Sequence, residues 1–422
     1  MLGGPAGPGP LNRGGRRPIT RQMARPAASA APPVIWRGDA EEQHSLAVVN
    51  AGITRALAAA GHEVHLLAPG DAALALPAVG VAQQWPPRFE PPSDGPFVLY
   101  QPWEFGRVPA AWVERIRAGV DEVWTLSHSV RDAFVRSGVP LERVHVVPAG
   151  VDLDRFTPAG PRRPLPTTKG TVLLFVGGAL RRKGVDLLLE AYGRAFDAAD
   201  DVCLVVKAFG GKGVYQGLTL DDEIAAFRAR PGAPELVLLD DDVPYDELPA
   251  LYRAVDAVVQ PYRAEGFCLP ALEALACGRP VVVPSGGPTD DFVTERCAWL
   301  LPVRTAPVRE DAFAAEELRL AEPGFTLEPD LPALAAALRE AADPEARAAK
   351  AAMARGHAER FSWEHAGRAA AARLRALAGR TPIRAGVAPN GASGHDRVEL
   401  ILRRAAEAAL AGPAAGIREG FA

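Results

Sequence analysis

The chain has 422 residues, 48% hydrophobic and 23% charged, with 47 Lys and Arg against 51 Asp and Glu and a formal net charge of -4. These fractions are those of a folded globular protein of two or three domains, which excludes wholesale disorder. A slightly acidic balance also excludes a chain built to coat nucleic acid, since that task needs a basic excess to neutralise phosphates. Cys203, Cys268, Cys277 and Cys297 show no CxxC spacing. Disulfide-scaffold and structural-zinc readings therefore fail, and reduced thiols in a cytoplasmic protein are expected. No apolar run approaches the roughly 18 residues of a membrane span. Nor does a continuous apolar segment at the N-terminus suggest a secretory signal.

Residues 1–33 are rich in Gly, Pro, Ala and Arg without apolar periodicity, so a disordered tail is expected there. Its cluster Arg13, Arg16, Arg17, Arg21 and Arg25 could make weak peripheral contact with anionic lipid; a solvated tail without function is the preferred reading. Order is expected from Val34–Arg37. A helix should run from Ser45 to Ala60, with Ser45 as N-cap and Gly61 at the C′ position. Strands are expected at Glu63–Ala68, Phe97–Gln101, Glu122–Leu126 and Val144–Val147, with a helix at Val130–Arg136 ended by Gly138. Strand and helix alternating at this spacing imply βαβ units and a parallel sheet.

A Pro- and Gly-dense stretch after Pro148 reads as a linker, and a second alternating series follows it. Strands are expected at Val172–Val176, Val202–Val206, Leu236–Leu239, Ala257–Gln260 and Val281–Val283. Helices are expected at Val185–Phe196, Glu247–Ala254 and Pro270–Cys277. The first of these carries Val185, Leu188, Leu189, Tyr192 and Phe196 on one stripe, and the strands are the continuous apolar runs of a sheet covered on both faces. The segment 303–330 reads as irregular. Residues 331–380 read as Ala- and Arg-rich helices with Phe361 and Trp363 between them, and residues 381–422 as a tail with a short helix. The fold class is α/β, with two doubly wound, Rossmann-like domains facing a cleft. The expected divisions are a tail at 1–33, an acceptor domain at 34–160, a donor-binding domain at 161–355, a return helix at 356–380 and the tail at 381–422.

In open parallel sheets, ligands bind beyond the carboxyl ends of the strands, near helix N-termini. The loop Gly177–Gly184 follows a strand there, and its glycines let backbone N–H groups approach a phosphate. Arg182 and Lys183 add positive charge just before a helix. The spacing is neither GxGxxG nor a Walker loop, and a solvated basic turn is the alternative. The next loop carries Glu265, Gly266, Phe267, Cys268 and Leu269, with Pro270 suited to the first helical position. Glu265 should overlie the cleft and Glu273 lie one turn inside the helix. A carboxylate placed only to favour the helix dipole explains Glu273, but leaves Glu265, Gly266 and Pro270 as coincidence.

The stretch EGFCLPALEALACGRPVVVPSGG resembles the Glu-x7-Glu signature of retaining glycosyltransferases of family 4 (glycosyl transferases group 1), which have the GT-B fold. FVGGALRRKGVDLLLEAY is similar to that family's phosphate loop, VHVVPAGVDLDRF to its interdomain segment and ERFSWEHAG to its C-terminal return helix. The resemblance covers about residues 34–375. It implies a nucleotide-sugar donor on the second domain, a sugar or glycoconjugate acceptor on the first, and no required metal or other cofactor. Lys183 would pair with the donor diphosphate, Glu265 would bind hydroxyls of the transferred sugar and Glu273 would hold the ribose. The family often has Arg directly after the first loop glycine; this chain has Gly178, so Arg181 or Arg182 would reach that phosphate.

In the first domain, the turn around Gly38 should place His44 or Ser45 near the acceptor, with a mere helix cap as the alternative for Ser45. Trp103 and Glu104 follow a strand and could offer an aromatic face and a carboxylate to a sugar; a packed Trp and a surface Glu are the alternative. His128 could line the cleft. The loop Ser285–Asp290 follows a strand of the second domain and should approach the donor. The remaining histidines show no ligand spacing, so no metal site is expected. The implied reaction is front-face transfer with retention. Its rivals are a nucleotide-sugar epimerase and a catalytically silent GT-B scaffold.

Overall fold

The computed structural model describes residues 31–41, 44–209, 219–239, 243–308, 319–320 and 322–383. The arginines of the N-terminal tail and the short helix expected near 397–410 lie outside the described residues. The first half comprises β1 (Val34–Arg37), α1 (Ser45–Ala59), β2 (Val64–Leu67), β3 (Val79–Ala82), β4 (Phe97–Tyr100), α2 (Ala110–Gly119), β5 (Glu122–Thr125), α3 (His128–Arg136) and β6 (Val144–Val146). These strands form a six-stranded sheet in the order β2-β1-β3-β4-β5-β6, with every pairing parallel. The α1 cap differs from the expected one. His44 is the N-cap, its Nδ1 accepting from the Ala47 N–H at 3.2 Å, and Ser45 is the first helical residue.

The second half comprises β7 (Thr171–Gly177), α4 (Val185–Ala195), β8 (Val202–Ala208), α5 (Asp221–Arg228), β9 (Glu235–Leu239), α6 (Leu248–Arg253), β10 (Ala257–Val259), α7 (Leu269–Ala276), β11 (Val281–Pro284) and β12 (Ala298–Leu301). Its sheet has the order β12-β11-β10-β7-β8-β9, again parallel. The core strands are buried along their length, because helices cover both faces and leave no side of the sheet for polar residues. Among the described residues, no helix is long and apolar enough to cross a membrane.

The stretch expected to be irregular contains an antiparallel hairpin, β13 (Val303–Pro307) paired with β14 (Phe325–Pro329). Three helices follow: α8 (Leu331–Ala342), α9 (Pro344–Ala358) and α10 (Trp363–Leu377). Trp363 opens α10 rather than lying between helices, and Ser362 caps it. The chain then returns to the first half. The Val151 N–H donates to Phe361 O at 2.9 Å, and Gly52 and Gly367 let α1 and α10 pack so closely that a Cβ on Gly52 would lie 2.3 Å from the Trp363 ring. Arg373 of α10 pairs with the buried Glu122 of β5.

Candidate active site

The loop between β7 and α4 is folded tightly on itself, with the Lys183 N–H donating to Leu180 O at 3.1 Å and the Gly184 N–H to Arg181 O at 3.0 Å. Gly184 closes it at φ 78°. A Cβ at that position would sit 2.0 Å from Pro261 O, so only glycine lets this loop lie against the one after β10. Two hydrogen bonds join the loops: the Arg263 N–H donates to Arg182 O at 2.8 Å, and the Arg182 side chain donates from Nη1 to Ala264 O at 2.9 Å. The charged groups meet at that seam. Lys183 Nζ donates to Glu265 Oε1, and Arg182 Nη1 lies 3.9 Å from Glu265 Oε2 and 3.5 Å from Glu104 Oε1. Burial alone would raise the pKa of Glu265, but the charges of Lys183 and Arg182 hold it below the ordinary value. It is a carboxylate.

Beyond Glu265, the chain turns into α7 through Cys268 at φ 72°, the one non-glycine residue with positive φ among the described residues. A side chain held in that conformation costs about 1–3 kcal/mol, and such residues cluster where a backbone must be aimed. Here it aims the N-terminal end of α7 at the loop that carries Glu265. Pro270 takes the second helical position, not the first. The Phe267 ring packs on Phe292 at 5.2 Å, and the Leu269 side chain is buried, so these two can offer a ligand only their backbone. The Cys268 thiol is pushed up, first by burial and then by Glu265.

Glu273 is not in contact with the cation pair. It is 3% exposed and its Oε2 accepts from Tyr252 Oη at 2.7 Å. Burial pushes its pKa up to about 7, against the opposing hydrogen bonds of Tyr252 and Tyr245. Arg181 also turns away. Its guanidinium lies 3.2 Å from Asp186 and 3.5 Å from Glu223, leaving Arg182 as the arginine at the seam. Gly178 is buried, its carbonyl accepting from the Leu180 N–H at 2.8 Å.

Contacts that close the first half against this site include those of Glu104, Ser127 and His128. Glu104 reaches Arg182, as above. Ser127, which caps α3, donates from Oγ to Gly266 O at 3.0 Å. The His128 N–H donates to Asp291 Oδ2 at 3.0 Å, with Nδ1 3.1 Å from Oδ1. Trp103, expected to offer its face to a sugar, is instead 2% exposed. Its Nε1 donates to Arg107 O at 2.6 Å and its ring packs on Phe105 and Trp112. The packed alternative describes the Trp103 ring, although the residue still borders the cavity between the halves, as Glu104 does. His44 pairs with Asp39 at 3.2 Å and stands with Ser45 at the start of α1, at the carboxyl end of the first sheet. A cavity of about 430 Å³, including its open mouth, lies between the halves. Glu104, Glu265, Gly286, Gly287, Arg136 and Phe325 line it.

Among the residues of this arrangement missed in the sequence are Ser127, Arg263 and Phe325. Ser127 shows only as a residue after a strand, the signal that did bring out His128. Arg263 and Phe325 act through partners far away in the chain, so no local spacing marks them.

Residues 93–155 match the family described as Glycosyltransferase Family 4, and residues 170–340 that described as Glycosyl transferases group 1. A D-inositol 3-phosphate glycosyltransferase of Frankia alni is 38% identical over 174 residues, covering 40% of this chain and 42% of the relative. One from Geodermatophilus obscurus is 35% identical over 263 residues, 57% of each. The chain thus spans about half the length of the curated relatives it matches. Among solved structures, HepE of Anabaena in complex with UDP and glucose superposes with a TM-score of 0.58 at 16% identity, covering 82% of this chain and 100% of that one. Sucrose-phosphate synthase of Thermosynechococcus elongatus does so at 0.58 and 17%, covering 82% and 99%. These likenesses carry the fold, which is GT-B. Both halves of the sequence thus carry matches to glycosyltransferase family models, on a fold shared with the solved GT-B neighbours.

Proposed function

We propose that the chain is a retaining glycosyltransferase that moves a sugar from a nucleotide-sugar to a saccharide, lipid-linked or small-molecule acceptor. The observation that carries this reading is the convergence of Lys183 and Arg182 on Glu265 at the seam between two loops of the second half, facing the first. Pairing such enclosed charges recovers little net stability. A ligand that exchanges partners with them gives the arrangement a use.

A donor diphosphate offers Lys183 a more highly charged partner than Glu265. As Lys183 turns to the phosphates, Glu265 is freed to accept hydrogen bonds from the sugar hydroxyls. Transfer then builds positive charge on the sugar ring while the diphosphate leaves. Each fixed cation or N–H aimed at the developing charge is worth about 3–4 kcal/mol in a water-excluded site. Arg182, Lys183 and the N-terminal end of α7 supply these. The acceptor oxygen bonds to the anomeric carbon on the face from which the phosphate oxygen departs. A phosphate oxygen takes the acceptor proton. Glu265 and Glu273 both belong to the second half, so neither is assigned as a covalent nucleophile, in contrast to the flanking carboxylates of glycosidases.

In this reading the chain's own cations fill the charge-stabilising role without a metal. Glu273 holds the donor ribose once the hydroxyls of Tyr245 and Tyr252 give way, and His44, Ser45 and Glu104 border the acceptor. The solved neighbours with UDP and UDP-glucose favour a uridine nucleotide as donor. Four buried free thiols suit a reducing compartment, hence the cytoplasm. A silent scaffold gains nothing from cations held on Glu265.

The test is nucleoside diphosphate release from UDP-glucose, UDP-N-acetylglucosamine and GDP-mannose, with and without a pool of saccharide and inositol phosphate acceptors. Acceptor-dependent release is expected. Donor consumption without acceptor favours the epimerase, and failure to bind UDP, GDP or ADP by calorimetry favours the scaffold.

A further inference from the structure

Arg263 follows β10 and bonds in three directions at once. Its Nη1 and Nη2 donate to the two carboxylate oxygens of Asp186, in the first turn of α4, at 2.7 and 3.0 Å. Its Nε and Nη2 donate to Glu328 of β14 at 2.7 and 3.1 Å. Nη1 also donates to Arg181 O at 2.8 Å. Its own backbone holds the same parts, since the N–H donates to Arg182 O and the carbonyl accepts from the Leu327 N–H, each at 2.8 Å. One side chain therefore joins the loop bearing Arg182 and Lys183 to the hairpin β13–β14. Burial would lower its pKa, but Asp186 and Glu328 raise it further, so it stays charged.

The far side of the hairpin is seated on the first half. The Gly106 N–H donates to Phe325 O at 3.0 Å, and the Ala110 N–H donates to Arg319 O at 2.9 Å. Leu320 bridges to Pro109, Glu322 pairs with Arg107, and the Arg136 guanidinium lies over the Phe325 ring at 5.3 Å. Val308 is buried in the core of the first half. The approach at Gly106 is close: a Cβ there would lie 2.2 Å from the Phe325 ring. Phe325, Thr326 and Leu327 meanwhile form one wall of the cavity that Glu265 borders.

We propose that Arg263 is a positioning residue for sugar transfer, clamping the phosphate loop to the hairpin β13–β14 so that Arg182 and Lys183 are held against Glu265 while the hairpin is seated on the first half. This rests on the reading of the cleft as a transfer site. Arg263 acts through the Arg181 and Arg182 carbonyls and through Asp186. The guanidinium's planar fork serves carboxylates on two sides, which a lysine ammonium, a point donor, cannot do. Arg181 and Arg263 balance Asp186 and Glu328 in charge, so an apolar cluster could replace the four at little cost in stability. What such a cluster would lose is the fixed loop.

The test is a double-mutant cycle on the full chain. Glu328→Gln loosens the Arg263 end of the hairpin and Phe325→Ala loosens the seated end. Arg263→Lys is a third variant, keeping charge and losing the fork. Turnover is read per folded molecule with whichever of the three nucleotide-sugars the wild type uses, beside thermal unfolding. Each single variant should lower kcat about tenfold or more with KM for the donor changed less than about threefold, and the double variant should be no worse than the poorer single, because both act through one seating event. Losses in kcat that multiply, or kcat within about twofold of wild type in Glu328→Gln and Arg263→Lys, overturn the proposal. A wild type that turns over while these variants match it leaves the transfer reading standing and removes only this inference. A wild type that binds no nucleoside diphosphate removes both.

Discussion

Arg182 Nη1 and Glu104 Oε1 face each other across the cleft at 3.5 Å, one from each half. Because the same Nη1 is anchored to Ala264 O at 2.9 Å, Glu104 meets an arginine already fixed in place, and the pair forms only when the halves are together. Glu104→Gln keeps the shape and removes the charge. We expect kcat to fall about tenfold, the scale of one charge-assisted contact, while UDP affinity measured by calorimetry on the second half's site stays within about threefold. An equal loss in both would place Glu104 in ground-state donor binding instead.

Glu273 makes stability depend on pH. Its pKa is pushed up to about 7 in the folded chain, against 4.5 for the ordinary group. A raised folded pKa means that the native state binds the extra proton between those two values. Its contribution is therefore full below about pH 4.5 and declines as pH rises through about 7, by about 3 kcal/mol in all. Glu273→Gln, which cannot ionise, should lack this decline, so its unfolding free energy relative to wild type rises from about pH 5 to about pH 8. Parallel denaturation curves at both pH values would show that Glu273 titrates normally.

The same variant addresses the ribose role. If Glu273 trades its tyrosine hydroxyls for ribose hydroxyls, Glu273→Gln weakens UDP binding about tenfold at about pH 8, where the carboxyl is ionised, a loss typical of a hydrogen bond to a charged acceptor. Unchanged affinity would leave Glu273 as an acid of the core alone.

Gly52→Ala tests the return of α10. In an exposed helix interior this change stabilises by about 1 kcal/mol. Here the new Cβ would fall 2.3 Å from the Trp363 ring, and overpacking of that kind costs about 1–3 kcal/mol. The clash wins, so a lower unfolding midpoint is expected. A higher one would mean that α10 does not pack on α1 at that point.

The second sheet was legible because strands covered on both faces must be apolar throughout, and runs such as Val172–Val176 admit no other reading. β3 went unseen because VGVA is short and interrupted by Gly80, where a Cβ would lie 2.7 Å from Ser93 Oγ. The helix α2 was missed although Trp112, Val113 and Ile116 carry its buried stripe. The hairpin β13–β14 is only partly buried, so it shows no clean alternation. In the site, the rule that ligands gather beyond strand ends brought out Lys183, Glu265 and Glu104. It placed Trp103 at the cavity's edge too, but the ring packs with Phe105 and Trp112 in the same half's core. The pairing of Arg263 with Glu328, 65 residues away, left no local trace.

Sugar transfer at this site requires Lys183 to leave Glu265 for a donor diphosphate. The most direct measurement is the single-turnover rate of nucleoside diphosphate release by Lys183→Ala beside wild type, with saturating donor and acceptor. Loss of a fixed cation from the leaving group predicts a fall of about 100-fold or more, with the protein still folded. A rate within about twofold of wild type would contradict the assignment of Lys183 and, with it, the chemistry derived from its pairing with Glu265.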